Sequence, residues 1–177
     1  EGENAQLADA SRVSAEADTP ADGPPDMFQA VEGRWGSREV EIVSVDVLDA
    51  KGKENHVFES GEPFEIRLAL RAAVPVNDVV IGIGLFNTDG VCCYGTNTHI
   101  EGATGGDITE AGEVSFRIDR LDLVEGTYKL DVAVHRANGT PYDYHRLRYT
   151  FRVTSRLKEA GIFRPRSEEH TSELQSH

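Results

Sequence analysis

Long apolar runs are missing from this chain. No stretch of its 177 residues approaches the roughly 20 apolar residues of a membrane-spanning helix, and no signal-peptide pattern opens it. It therefore reads as soluble. Cysteine is scarce, and the two present, Cys92 and Cys93, are adjacent. Neighbours in a strand point to opposite faces, and a vicinal disulfide is strained. They read as reduced thiols, at least one of them filling core space, rather than as a redox or metal pair. Positive charge is also in deficit, with a formal net charge of −13. Phosphate backbones and anionic lipid both need a positive field, so no nucleic-acid partner is expected and neutral or weakly charged ligands stay open. There is no GxxxxGK[ST] phosphate loop, no nucleophile elbow, and no HxH or HxxxH metal spacing.

The charge is uneven. Residues 1–33 hold eight acidic residues against the single basic Arg12, and few large apolar side chains. Pro20, Pro24 and Pro25 would break a helix there. Such a stretch buries too little surface to offset its ordering entropy, so it reads as an acidic, disordered or partly helical linker. A short helix around Asn4–Ala17 and local docking of Met27-Phe28 are the structured options. The last twelve residues, Arg166–His177 (RSEEHTSELQSH), resemble the translation of a sequencing adapter and are set aside as a non-native tail. With no initiating Met, the chain is expected to be a fragment or a processed product.

Between these ends the sequence alternates with period two, as half-buried strands do. Glu39–Leu48 places Val43, Val45 and Val47 on one face. Pro63–Arg71 aligns Phe64, Ile66, Leu68 and Leu70. Val79–Phe86 aligns Val79, Ile81, Ile83 and Leu85, and Val91–Thr98 follows a turn at Asn87–Gly90. Glu113–Asp119, Gly126–Arg136 and Arg146–Val153 complete the set, the last with Leu147, Tyr149, Phe151 and Val153 together. Seven to eight strands with turns at short spacing predict an all-β, immunoglobulin-like antiparallel sandwich over residues 34–165. Asn138-Gly139 predicts a type I′ hairpin, a reading preferred to a glycosylation sequon. Leu123–Tyr128 resembles the tyrosine corner of such sandwiches, in which the ring packs inward and the hydroxyl returns to nearby backbone. The lone Trp35 falls before the first expected strand.

Strand parity also locates an outer surface. Val80, Gly82, Gly84 and Phe86 face away from the expected core on one strand; Lys129, Asp131, Ala133 and His135 do so on another. If the two pair as strands C and F do, glycines face Ala133 and leave a shallow trough edged by Phe86, Asp131 and His135. Such a trough suits a sugar chain, which stacks C–H faces on flat apolar groups and bridges hydroxyls to planar polar ones. The alternatives are ordinary: strand glycines often mark bulges, and an isolated Phe often packs an edge. Tyr94 and Asn97 sit on a neighbouring strand; Asn97 offers a donor and an acceptor for vicinal hydroxyls, or satisfies backbone at the strand end. In Pro141–His145 (PYDYH), extension would put Tyr142 and Tyr144 on one face and Asp143 on the other. Tyr142, Asp143 and His145 are candidate sugar contacts, set against a bulged edge that secures the last strand and buries the His. Enzyme readings pair Asp131 with Glu113 or Asp143 as glycosidase carboxylates, or gather His99, His135 and His145 on a metal; no spacing supports either.

Several segments, in order, resemble the Wzt C-terminal domain family. They are Arg34-Trp35-Gly36 leading into Glu41-Ile42; Gly61-Glu62-Pro63; Ile81-Gly82-Ile83 with Asp89-Gly90; Tyr94-Gly95-Thr96-Asn97-Thr98; Gly126-Thr127-Tyr128; and Pro141-Tyr142-Asp143-Tyr144-His145. The resemblance covers about 130 residues and neither end. It implies a non-catalytic domain, following an ATPase domain, that recognises a lipid-linked O-polysaccharide at the cytoplasmic face of the inner membrane for ATP-driven export. It implies a homodimer with an exchanged C-terminal strand, and the transporter's membrane subunit as a partner of the whole protein. ATP and magnesium would belong to the upstream domain, with no cofactor in this chain. It also favours a functional role for Tyr94 and Asn97. The rival readings are a structural or protein-interaction sandwich of a surface protein, and a glycan-cleaving enzyme.

Overall fold

The computed structural model describes residues 33–103 and 106–165. The expected helix at Asn4–Ala17, the Met27-Phe28 pair and the Arg166–His177 tail lie outside the described residues. Within them the chain forms β1 (Gly33–Trp35), β2 (Val40–Leu48), β3 (Val57–Glu59), β4 (Phe64–Ala72), β5 (Val76–Asn87), β6 (Cys92–Asn97), β7 (Gly106–Ile108), β8 (Ala111–Ile118), β9 (Gly126–Arg136) and β10 (Pro141–Thr154), with no helix. The seven long strands correspond to those that alternation predicts. The three-residue strands β1, β3 and β7 are additions, each too short to show a period.

Two sheets face each other. One runs β1-β10-β9-β5-β6, with β3 parallel to the end of β10 and β7 beside the start of β5; the other is β2-β4-β8. Alternation puts Phe64, Ile66, Leu68 and Leu70 of β4 against Val79, Ile81, Ile83 and Leu85 of β5, and Leu130, Val132 and Val134 of β9, all buried. Each such side chain contributes about 1.5–3 kcal/mol of burial free energy. Phe58, Phe64, Tyr128 and Phe151 close one end with edge-on, tilted and stacked ring contacts. The Tyr128 hydroxyl donates to the Val124 carbonyl at 2.9 Å, the tyrosine corner expected from Leu123–Tyr128.

Three local expectations are corrected. A register shift between Ile42 and Ser44 breaks parity in β2, so Val40, Ile42 and Val47 are buried while Val43 is 57% exposed. The β9–β10 hairpin does turn at Asn138-Gly139, but only Gly139 has positive φ, at 88°. Arg136 N donates to Thr140 O and Gly139 N to Arg136 O, so the loop has three residues and its Gly is left-handed, in place of a type I′ turn. Finally, the last strand begins at Pro141 rather than Arg146.

That strand shapes the molecule. β10 shifts register between Pro141 and Asp143 and again between His145 and Tyr149. Its first half pairs with β1 and its second with β3. At the second irregularity Leu147 has φ 50°, costly for a branched side chain unless held from outside.

Candidate functional site

The register that builds the site is the one parity suggests. Across β5 and β9, Val80 lies opposite His135, Gly82 opposite Ala133 and Gly84 opposite Asp131. Across β5 and β6, Gly82 lies opposite Asn97 and Gly84 opposite Gly95. Three strands thus present small residues on the face away from the core, which leaves a depression. Tyr144, opposite Ala133 on β10, and Trp35, opposite Tyr144 on β1, raise its wall. Their rings stack with centroids 4.5 Å apart and planes 8° from parallel. The resulting cavity is about 480 Å³, with Ile100, Pro141 and Cys92 also at its sides. That falls in the size range of small-molecule sites.

A buried ion pair supports the wall. Asp131 forms an ion pair with Arg146, their side chains 3% and 4% exposed. Its carboxylate also accepts from the Tyr144 hydroxyl at 3.0 Å and the Leu147 amide at 2.6 Å. One side chain therefore orients the Tyr144 ring, fixes Arg146 and holds the left-handed residue of the β10 bulge. The Arg146 guanidinium lies over the Phe86 ring at 4.3 Å. Burial, and then the Asp131 charge, push the Tyr144 phenol well above the usual range, so it stays a donor at all physiological pH values.

Two polar groups in the cavity keep capacity for a ligand. The Asn97 side-chain oxygen accepts from Ile100 N at 2.9 Å, which leaves the amide N–H groups. His135 Nδ1 lies 2.8 Å from the Arg136 carbonyl. A carbonyl only accepts, so the neutral ring carries its proton on Nδ1 and offers Nε2 as an acceptor.

Residues 31–165 match the Wzt C-terminal domain family. The chain belongs to that family. It is 32% identical over 126 residues to the O-antigen export system ATP-binding protein RfbB of Myxococcus xanthus, a match spanning 71% of this chain and 28% of that protein. The chain thus spans little more than a quarter of that relative's length. A crystal structure of the C-terminal domain of Wzt has the same fold, with a TM-score of 0.73 over 80% of this chain and 89% of that one, at 21% identity.

In this Wzt C-terminal domain the sequence-predicted residues divide. Phe86, Asn97, Asp131 and His135 all line the trough, but two of them differ in kind from expectation. Phe86 is 1% exposed beneath Arg146, so it is floor rather than an open platform. Asp131 is 2% exposed and committed to the protein. The trough is consequently deeper than a shallow outer surface.

Tyr94, Tyr142, Asp143 and His145 lie elsewhere. Tyr94 is opposite Leu85, and parity turns it from the trough to a separate hollow with Cys93 and Phe163. Because β10 is irregular after Pro141, Tyr142 falls into the core instead of beside Tyr144, and the Arg136 guanidinium covers its ring at 4.2 Å. Asp143, fully buried, takes the Arg34 fork at 2.9 and 2.6 Å and the Ile42 amide at 2.8 Å. His145 donates or accepts at the Tyr149 hydroxyl, 2.7 Å away; its Nε2 stands 3.4 Å from Asp143, too long for a strong hydrogen bond. This segment locks β1 and β2 to β10, the bulged-edge alternative.

The enzyme pairings separate as well. Asp131 faces the trough, Asp143 faces β2, and Glu113 lies on the other sheet with its side chain 63% exposed. Among the described residues no three His, Cys, Asp or Glu side chains gather as a metal site. Cys93 packs against the core and Cys92 borders the trough; both are free thiols. Sequence reading missed Trp35, Tyr144 and Arg146. Tyr144 had a signal in Pro141, which cannot donate to a ladder and so marks a bulge.

Proposed function

We propose that this domain binds an O-polysaccharide in the trough and selects it for ATP-driven export across the inner membrane. The observation that carries this reading is the Trp35–Tyr144 stack standing over a floor of Gly82, Gly84 and Ala133, with Asn97 and His135 retaining hydrogen-bonding capacity. Sugars present this combination in reverse, with C–H faces for apolar surface and hydroxyls for amide and imidazole. Family membership supports the same reading, as does the name of the Myxococcus relative. The domain would act without catalysis, as part of a cytoplasmic ATP-binding subunit, paired as a homodimer and joined to the transporter's membrane subunit. ATP and magnesium would be held by the ATPase domain of that subunit. No helix among the described residues is long and apolar enough to cross a membrane.

The test uses the single tryptophan of the chain, which stands in the trough wall. Titration with delipidated O-polysaccharide from the cell of origin should change Trp35 emission saturably. A folded protein that shows neither an emission change nor heat on titration would overturn the reading.

A further inference from the structure

The charges along the trough cancel, which limits what can lie in it. The carboxylate in its lining, Asp131, is answered by the Arg146 guanidinium, and both side chains are almost fully buried. Tyr144 and Leu147 take up further capacity of the same carboxylate, and the guanidinium is pressed against Phe86. Neither ion can turn toward a ligand without breaking this buried pair. The other polar groups described above are the Asn97 amide and the His135 imidazole, the latter tied through Nδ1 to the Arg136 carbonyl. The rest of the lining is aromatic, aliphatic or glycine, apart from the Cys92 thiol and Thr96, whose hydroxyl already donates to Glu101 at 2.5 Å.

We infer that the trough accepts uncharged saccharide units and rejects units that carry a carboxylate, a phosphate or a free amine. The inference rests on the carbohydrate reading given above and names the substrate class of the same site. A charged substituent entering this lining loses hydration and meets no free counter-charge. A hydroxyl, a deoxy position or an N-acyl group meets the Asn97 amide, the His135 acceptor or the aromatic wall at no such cost. Selection by charge in a mildly acidic domain would then come from the interior of the trough, not from the field of its surface.

The experiment is a glycan array of bacterial polysaccharides, neutral and acidic in equal number, probed with the 177-residue chain. The best neutral binder is then titrated alongside a derivative whose C6 hydroxymethyl groups have been oxidised to carboxylates. The expected result is capture of neutral glycans and a loss of roughly tenfold to a hundredfold in affinity on oxidation. Ile100→Lys, at a position 71% exposed on the rim, supplies a counter-charge without disturbing the core. It should narrow that gap severalfold, and the gain should fade with salt. Equal affinity for the neutral and oxidised forms, or capture of acidic glycans alone, overturns the inference while leaving carbohydrate binding in place. Capture of no glycan by the folded protein overturns both.

Discussion

The indole of Trp35 lies flat against the ring of Tyr144, with centroids 4.5 Å apart and planes inclined by 8°. The two residues come from opposite ends of the domain and meet because β1 pairs with β10 in the register Trp35↔Tyr144. The stack is both a latch for the entering chain and the aromatic wall of the trough. Trp35→Ala should therefore lower saccharide affinity by about tenfold or more, since an aromatic contact is worth about 0.5–1.5 kcal/mol beyond its area. Trp35→Phe should retain most of it: the indole Nε1 is buried without a hydrogen-bond partner, so losing it removes no bond. Calorimetric titration of both variants checks this. Equal loss in the two would mean that the stack is not the contact that matters.

Asp131 is better removed for what it holds than for what it touches. Asp131→Asn removes the charge from the buried Asp131–Arg146 pair and weakens the bond to the strained Leu147 amide. Breaking a buried pair from one side costs about 3–5 kcal/mol. Urea denaturation should show a loss of that size. Tyr144, released from its acceptor, should then allow Trp35 emission to shift even before ligand is added.

The glycines of the floor should separate folding from binding. A Cβ at Gly84 would stand 2.9 Å from the Phe86 ring, which is itself pinned by Arg146, so Gly84→Ala should destabilise by about 1–3 kcal/mol. At Gly82 the nearest atoms, Asn97 Cβ and the Thr96 carbonyl, are at 3.4 Å. Gly82→Ala should fold nearly as well as the native chain and bind less well, because its methyl group rises into the trough. Melting temperatures and affinities measured side by side would test the split.

Cys92 provides a chemical footprint. It borders the trough beside Gly95, and burial raises its thiol pKa, so it should react slowly with alkylating reagents. A bound saccharide should slow it further. Cys93 faces the core side and should show no ligand dependence, so mass spectrometry of the singly labelled peptides contains its own control.

Parity made much of this legible. Regular strands gave the pairing of Gly82 with Ala133, and with it the floor and the places of Asn97 and His135. What parity could not show lies at irregularities. The β2 shift exposed Val43, and the first β10 shift sent Tyr142 inward while Tyr144 stayed on the trough side. Trp35 was hidden for another reason: a three-residue strand has no period, and its partner is far away in sequence. Asp131 showed its face correctly but not its role, because nothing local reveals that Arg146 will lie against it.

The segment that turned inward makes the last prediction, one about acid. Asp143 is fully buried, and burial alone would raise its pKa. The His145 ring, the Arg34 fork and the Ile42 amide outweigh that effect and hold the carboxyl far below the usual range. The folded state thus binds this proton less readily than the unfolded chain, whose value is about 3.9. A depressed folded pKa gives stability that is fully present above the unfolded value and is lost as pH falls toward the folded one. Asp143→Asn should accordingly cost about 1.5–3 kcal/mol at neutral pH, by replacing the charged acceptor of the Arg34 fork and the Ile42 amide with a neutral one. The gap between native and variant should be flat down to about pH 4 and close steadily below it. Thermal melts of both proteins across that range provide the measurement. A gap that held constant to about pH 2 would mean that the lock between β1, β2 and β10 does not depend on the Asp143 charge.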